Sequence, residues 1–540
     1  MNAPIKQPDD AHAPLAGAVR TVSLMTLASR IGGLVRDVLL GRIFGATVIG
    51  SAFAAAFSIP NMFRRLFGEG ALSAAFIPEY TTALRDDPRQ ADRLASLTVA
   101  LLALVTASIT VIIEVALLGA IWLTPPDPER TLSLELIMVM LPFMPLICVV
   151  AIQAGMLQVH GRFGPASSGP LLLNGFVIAV GGWCLWTGNL AGRSTAFVLG
   201  VATMLSAVTQ CAWFFILLRP HVRWTAAFRE ARPRATSMLR KFVPVAIGMG
   251  TLQLNAFMDT LIAMYPIWVG PALLGRAYPM DGHSNIIIAL TQRLYQFPLG
   301  VFGVAVATAA FPMLARHAHE PDKFAATLRR GLRLSLFIGL PASVGLCMIR
   351  AEATAVLYGY GRTGWTPEDL HRSALVLLGF APAIWAYSLN HVLTRAFYAR
   401  GDTRTPMTVS LWMVALNLGL NLALIWPLRE AGLAWSTSIA AIVQCAVLSR
   451  LSRRLLDGAP PQGGHVIDGP TWKAFARIAA GSVLMAGFVW LTLSIMPVRD
   501  TWTGTVVRLS AGCSAGLASY LGLAVMTRTQ ELRWLLHRAR

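Results

Sequence analysis

The chain has 540 residues, of which 55% are hydrophobic and only 13% are charged, and its formal net charge is +19. A soluble domain carries roughly 25% charged residues, so this composition excludes an ordinary soluble protein. The positive charge does not indicate a nucleic-acid partner, because the basic residues alternate between loops as they do in membrane proteins.

Apolar segments of about 20 residues, the length that crosses a bilayer, recur along the whole chain. They predict an all-α polytopic membrane protein with about 14 transmembrane helices. The polar N-terminus lacks a short apolar segment before a cleavage site, so no cleaved signal peptide is expected. The predicted spans are 22–44, 48–67, 94–123, 132–158, 167–188, 195–218, 240–266, 284–310, 331–349, 373–396, 406–427, 432–449, 474–496 and 503–526.

Basic residues concentrate in alternate loops. The loops after spans 5 and 7 carry one arginine each, Arg193 and Arg276. Because basic loops stay on the cytoplasmic side, this asymmetry predicts that both termini lie in the cytoplasm. The loop between spans 6 and 7 instead carries a dense basic set: Arg219, Arg223, Arg229, Arg232, Arg234, Arg240 and Lys241.

Two segments at the ends of spans 2 and 8 resemble each other. Phe67-Gly-Glu-Gly-Ala-Leu-Ser-Ala-Ala-Phe76 and Phe302-Gly-Val-Ala-Val-Ala-Thr-Ala-Ala-Phe311 share Phe, Gly, a hydroxyl residue, Ala-Ala and Phe at the same offsets. These two spans run in the same direction, so we predict a parallel repeat of two six-helix lobes, as in many transporters. Chance similarity between Gly- and Ala-rich membrane segments is the alternative. The predicted division is an N-terminal cytoplasmic tail (1–21), a first lobe (22–235), a second lobe (236–455), two extra helices (456–527) and a C-terminal cytoplasmic tail (528–540).

Several arginines lie at membrane depth, where an ionised side chain costs at least about 2.5–3.5 kcal/mol. The planar fork of arginine binds phosphate through two parallel hydrogen bonds, so an excess of such residues predicts an anionic substrate. In the alternative interpretation each arginine caps backbone carbonyls, and Arg64 and Arg65 anchor the span at the membrane boundary. Asp37 is the acid nearest in sequence to Arg36, but it could instead pair with an arginine of a neighbouring helix. The predicted substrate-binding residues are Arg30, Arg36, Asp37, Asn61, Arg64, Arg65, Glu69 and Arg293.

A second polar set lies in spans 7, 11 and 12. Asn417 and Asn421 are one helical turn apart on one face, and Asp259 and Thr437 lie on the two other spans. Their oxygens are the hard ligands that small cations prefer. An interhelical hydrogen-bond cluster is an equally good interpretation of the pattern.

These motifs resemble the MurJ/MviN family of lipid II flippases. The resemblance rests on SRIGGLVRD, GRIFGA and IPNMFRRLFGEGALSAAFIP, and continues in QRLYQFPLGVFGVAVATAAFP and FYARGDTRTP. It covers nearly the whole chain. It implies the fold of the multidrug/oligosaccharidyl-lipid/polysaccharide exporter superfamily. It also implies that the chain flips lipid-linked peptidoglycan precursor from the cytoplasmic to the periplasmic leaflet of the bacterial inner membrane by alternating access, for cell wall biogenesis.

The resemblance also implies partners and residue roles. Lipid II, membrane lipid and the cell wall synthesis machinery would be partners, and spans 13 and 14 would form a groove for the undecaprenyl tail. Two departures from the family pattern, Ser51 in place of an acid and Ser58 in place of a base, put the gating partner of Arg36 in question. The family's functional arginines map onto Arg30, Arg36, Arg64, Arg65 and Arg293, and a sodium site of some members, with Na⁺ as coupling ion, maps onto Asp259, Asn417, Asn421 and Thr437.

Two rival functions are weighed against this one. An exporter of the same fold acting on another polyprenyl-linked saccharide would have the same architecture. A membrane enzyme acting on lipid pyrophosphates would need clustered carboxylates or histidines, but the histidines are scattered and no HExxH motif occurs. We therefore expect a transporter that is not an enzyme and that has no resident cofactor.

Overall fold

The computed structural model describes residues 12–65, 72–188, 192–360, 365–456, 467–498 and 501–536. These ranges are mostly α-helical, as predicted, and include one short antiparallel hairpin in which Ala272 pairs with Ala277. The chain divides into two compact units, Met1–Gly270 and Pro271–Arg540.

The predicted spans coincide with helices. Eleven helical segments of the described residues are long and apolar enough to cross a membrane. The other three predicted spans fall on helices His12–Phe44, Val48–Phe63 and Arg232–Trp268. The first of these carries the arginines of span 1, and the second has only 16 residues. The protein is therefore an all-α polytopic membrane protein.

In the first unit, long apolar helices pack around a core rich in aromatic side chains. Phe44, Phe76, Tyr80 and Phe214 are completely buried there. The helices are α1 (His12–Phe44), α2 (Val48–Phe63), α3 (Leu72–Asp86), α4 (Pro88–Leu123), α5 (Pro128–Met140), α6 (Phe143–Val159), α7 (Phe163–Thr187), α8 (Arg193–Leu218) and α9 (Arg232–Trp268). Helix α1 packs along α7, α2 along α5, and α6 against α4 and α8.

The second unit contains the two extra C-terminal helices within its own core. After strands β1 (Ala272–Leu273) and β2 (Arg276–Ala277), the helices are α10 (Ser284–Pro298), a π-helical segment (Leu299–Gly303), α11 (Val304–Arg316), α12 (Pro321–Met348), α13 (Arg350–Tyr358), α14 (Pro367–Phe380), α15 (Ala383–Ala399), α16 (Arg404–Leu428), α17 (Glu430–Leu451), α18 (Gly469–Ile495), α19 (Trp502–Met526) and α20 (Gln530–Leu536). The two extra helices are α18 and α19. Helix α18 packs against α12 and α19, and Tyr520 of α19 donates a 2.8 Å hydrogen bond to the carbonyl of Phe337.

The fourth span of each predicted lobe is broken in the same way. The break lies at Leu141-Pro142 between α5 and α6, and at Ala381-Pro382 between α14 and α15. Proline lacks an N–H group and clashes with the preceding turn, so each span becomes two helices. Both spans then end at a glycine with positive φ, Gly161 at 74° and Gly401 at 78°.

The ends of spans 2 and 8 also match in backbone geometry. Residues 64–65 are π-helical, as is the segment Leu299–Gly303. Arg64 precedes Phe67 by three residues, just as Leu299 precedes Phe302. The π-helical turns therefore occupy equivalent places in the sequence repeat, which supports two lobes built on one plan.

Some predicted boundaries differ from the observed helices. Helix α1 begins at His12, inside the predicted N-terminal tail, and α20 forms within the predicted C-terminal tail. Helix α9 begins at Arg232 and packs against α2, α3, α4 and α5, so it clusters with the first unit. The predicted lobe division at residue 235 is based on the repeat and stays a prediction.

Candidate functional site

Arg36 is buried in the first unit and is held from three directions. Its Nε and Nη2 atoms donate to Oδ1 of Asp37 at 3.0 and 2.7 Å, and its Nη1 donates to Oδ1 of Asn174 at 3.1 Å. Its guanidinium carbon lies 5.0 Å from the centre of the Phe57 ring of α2. Arg36 and Asp37 are only 9% and 7% exposed, so this is a buried, hydrogen-bonded charge pair.

Asp37 pairs with the adjacent Arg36, which is one of the two alternatives left open by the sequence. A buried arginine with no counter-charge is costly, and the neighbouring carboxylate reduces that cost. The carboxylate beside Arg36 therefore comes from Asp37, and Ser51 is a buried serine.

Asn174 was not among the residues predicted from the sequence. This residue lies on α7, is 4% exposed, and its Nδ2 donates to the carbonyl of Ser29 at 3.1 Å. Close approach of α1 and α7 depends on glycine, because a Cβ atom at Gly32 would lie 3.3 Å from Nδ2 of Asn174. An amide inside an apolar span is costly unless it bonds, and that signal could have identified Asn174.

The other predicted residues of spans 1 and 2 lie in different surroundings. Arg30 is exposed on α1, and Arg64 and Arg65 are half-buried on the π-helical turn that follows α2. Nε of Arg64 donates to Oδ1 of Asn61 at 2.8 Å, so two predicted residues of span 2 contact each other. Single π-helical turns are frequent at functional sites. Glu69 lies outside the described residues.

Arg293 belongs to the second unit. It is half-buried on α10, and its Nη1 donates to Oε1 of Gln296 at 3.2 Å. Arg36, Arg64 and Arg293 thus share one feature, a hydrogen bond to the oxygen of a neutral amide. An amide orients a guanidinium without cancelling its charge, which suits a site for an anion.

The predicted cation ligands are divided between the units. Asn417, Asn421 and Thr437 are buried on α16 and α17, which pack together, whereas Asp259 is half-buried on α9. Nδ2 of Asn421 donates to Oδ1 of Asn417 at 3.0 Å, a bond within α16 that does not test the interhelical alternative. No group of three or more His, Cys, Asp or Glu side chains within the described ranges is arranged to hold a metal ion. Sodium binding at the asparagine pair stays a prediction.

A buried ion network in the second unit was also missed. Arg372 of α14 donates to Oε1 of Glu430 at 2.6 Å and to both carboxylate oxygens of Asp281 at 2.9 Å. Arg429, between α16 and α17, reaches the same aspartate at 3.1 Å. These bonds join the segment before α10, helix α14 and the α16–α17 turn within the second unit.

Comparison with known proteins places these features in a family. A family model described as "Lipid II flippase MurJ" matches residues 40–511. A "Probable lipid II flippase MurJ" of Vibrio cholerae is 30% identical over 541 residues, 95% of this chain and 96% of that protein. Its counterpart from Rhizobium tropici is 32% identical over 484 residues, 87% of this chain and 85% of that protein.

Solved structures share the fold. The chain "Lipid II flippase MurJ, inward closed conformation" superposes with a TM-score of 0.74 at 20% identity, covering 94% of this chain and 98% of that one. A structure described as an inward-facing multidrug resistance MATE family transporter of the MOP superfamily gives a TM-score of 0.65 at 16% identity. It covers 82% of this chain and 100% of its own.

Proposed function

This chain belongs to the lipid II flippase MurJ family, and we propose that it moves lipid II from the cytoplasmic to the periplasmic leaflet by alternating access. The buried Arg36, fixed by Asp37, Asn174 and Phe57, is the observation that carries the proposal. An oriented guanidinium at membrane depth is costly to maintain and suits the diphosphate of a lipid-linked saccharide.

In the proposed cycle, arginines receive the diphosphate while the site is open to the cytoplasm. Arg36 supplies a fixed fork, and Arg64, also of the first unit and bonded to the amide of Asn61, supplies a second guanidinium. The headgroup then becomes accessible from the periplasm while the undecaprenyl tail stays in the bilayer or along α18 and α19. The cycle makes and breaks no covalent bond, so we propose transport without an enzymatic step.

The finer points of location and coupling belong to the same proposal. The basic loops support a bacterial inner-membrane protein with both termini in the cytoplasm. Sodium bound by Asn417, Asn421 and Thr437 would act as the coupling ion, with amide and hydroxyl oxygens as its ligands. The cell wall synthesis machinery would take up the lipid II delivered to the periplasmic leaflet.

Depletion of the protein tests the function directly. We expect lipid II to accumulate on the cytoplasmic leaflet, measured by its resistance to a periplasmic reagent that modifies the headgroup. Accumulation of a different polyprenyl-linked saccharide, with lipid II distributed normally, would contradict the proposal. That outcome would favour an exporter of the same fold with another cargo.

A further inference from the structure

We propose that Asn174 is a positioning residue for Arg36, and that it holds the guanidinium so that a free pair of N–H groups faces the diphosphate of the substrate. The inference rests on the proposed function for the identity of the substrate. It rests on the geometry of α1 and α7 for the role of the amide.

The hydrogen bonds of Arg36 use three of the N–H groups of its guanidinium and leave two. A guanidinium has five N–H groups. Two of them bond to Oδ1 of Asp37 and one to Oδ1 of Asn174. Within the described part of the chain, the other N–H groups, one on each Nη atom, make no hydrogen bond. These two donors remain available to phosphate oxygens.

The orientation of the amide follows from its second contact. Nδ2 of Asn174 donates to the carbonyl of Ser29, which can only accept, so Oδ1 must be the atom that faces Arg36. The amide is buried and lies against Gly32, which leaves it little room to rotate. Asn174 therefore fixes the guanidinium of Arg36 relative to the backbone of α1.

The neutral amide also sets the charge of the site. The negative charge of Asp37 already balances the positive charge of Arg36. A second carboxylate at position 174 would give the group a net negative charge and repel an anion. An aliphatic side chain there would leave Nη1 without its partner and let the guanidinium turn. An amide fixes the fork without adding charge.

A purely structural role for Asn174 is the competing explanation, because the amide also joins two helices. Asn390 provides a matched control. It too is 4% exposed, and its Nδ2 donates to a backbone carbonyl, that of Ala441, at 3.0 Å. The same Nδ2 also donates to Oε1 of Gln444, so within the described residues its partners are a carbonyl and an amide rather than an arginine. Loss of Asn390 removes a comparable buried amide without touching Arg36.

The test measures binding of lipid II and of inorganic pyrophosphate to the full chain in lipid nanodiscs. We expect Asn174→Ala to weaken both by about tenfold, the effect of one hydrogen bond to a charged group. Asn390→Ala should leave both affinities unchanged. If Asn174 acts through Arg36, then Asn174→Ala should add nothing in an Arg36→Ala background.

Three outcomes would overturn the positioning role: unchanged affinities in Asn174→Ala, an additive double variant, or an equal loss in Asn390→Ala. Asn174→Asp covers the case in which the alanine variant does not fold. It keeps an acceptor for Nη1 but adds a negative charge, so wild-type pyrophosphate affinity in that variant would also contradict the inference. Wild-type protein that binds pyrophosphate but not lipid II would overturn the proposed function, and leave the positioning role to be decided by the pyrophosphate series.

Discussion

At the residue scale, the conspicuous charges of span 1 form a small network rather than a row of free cations. Arg36 and Asp37 neutralise each other in the protein interior, and Asn174 completes the arrangement. Arg30, one residue from the carbonyl that Asn174 uses, is exposed. The arginines of one helix thus serve different purposes, and depth in the span alone does not distinguish them.

The adjacent glycines Gly32 and Gly33 of α1 give a paired test of the network of Arg36, Asp37 and Asn174. A Cβ atom at Gly32 would lie 3.3 Å from Nδ2 of Asn174, whereas one at Gly33 would lie 3.8 Å from it. Gly32→Ala must therefore displace the amide by a few tenths of an ångström, while Gly33→Ala makes an ordinary contact. We expect Gly32→Ala to reduce lipid II flipping several-fold and Gly33→Ala to leave it near the wild-type rate. Equal rates for the two variants in reconstituted vesicles would contradict the packing argument.

At the element scale, the extra helices are fastened to the second unit by one end of α12. Arg329 pairs with Asp468, which caps the start of α18, and Arg333 donates to Glu531 of α20 at 2.6 Å. Arg330 and Arg333 both lie within 5 Å of the Trp534 ring, at 4.8 and 4.9 Å. The two extra helices, α18 and α19, are thus attached to α12 at the start of α18 and, through α20, after the end of α19.

Breaking this attachment should destabilise the second unit. Glu531 is completely buried, so Arg333→Ala leaves its carboxylate without a counter-charge, a change that costs about 3–5 kcal/mol in buried pairs. We expect a clear fall in the thermal unfolding temperature of the purified protein. Lys323→Ala is the control. It breaks an exposed ion pair between Lys323 of α12 and Glu320, the residue directly before this helix, and should leave that temperature unchanged. Equal effects of the two variants would show that the α20 contact contributes little.

At the scale of the whole molecule, the sequence predicts the membrane fold well because span length and apolar content follow from bilayer thickness. It predicts the repeat from a short motif, and the matching π-helical turns and proline breaks support it. Boundaries are harder, since α1 and α20 extend into segments whose composition resembles that of a polar tail. The arginines predicted to bind substrate lie in recognisable sequence motifs, but Asn174 is distant in sequence from Arg36 and becomes relevant only once α1 and α7 pack together.

The proposed function requires the guanidinium of Arg36 to receive the diphosphate of lipid II during flipping. Translocation of lipid II is measured in vesicles reconstituted with the wild-type chain, Arg36→Ala, Arg293→Ala or Arg276→Ala, of which the last is a control in the exposed strand β2. We expect the control to flip lipid II at the wild-type rate, and Arg36→Ala and Arg293→Ala to insert normally but to flip it about 10- to 100-fold more slowly. Flipping at the wild-type rate by Arg36→Ala would contradict the proposed role of this arginine.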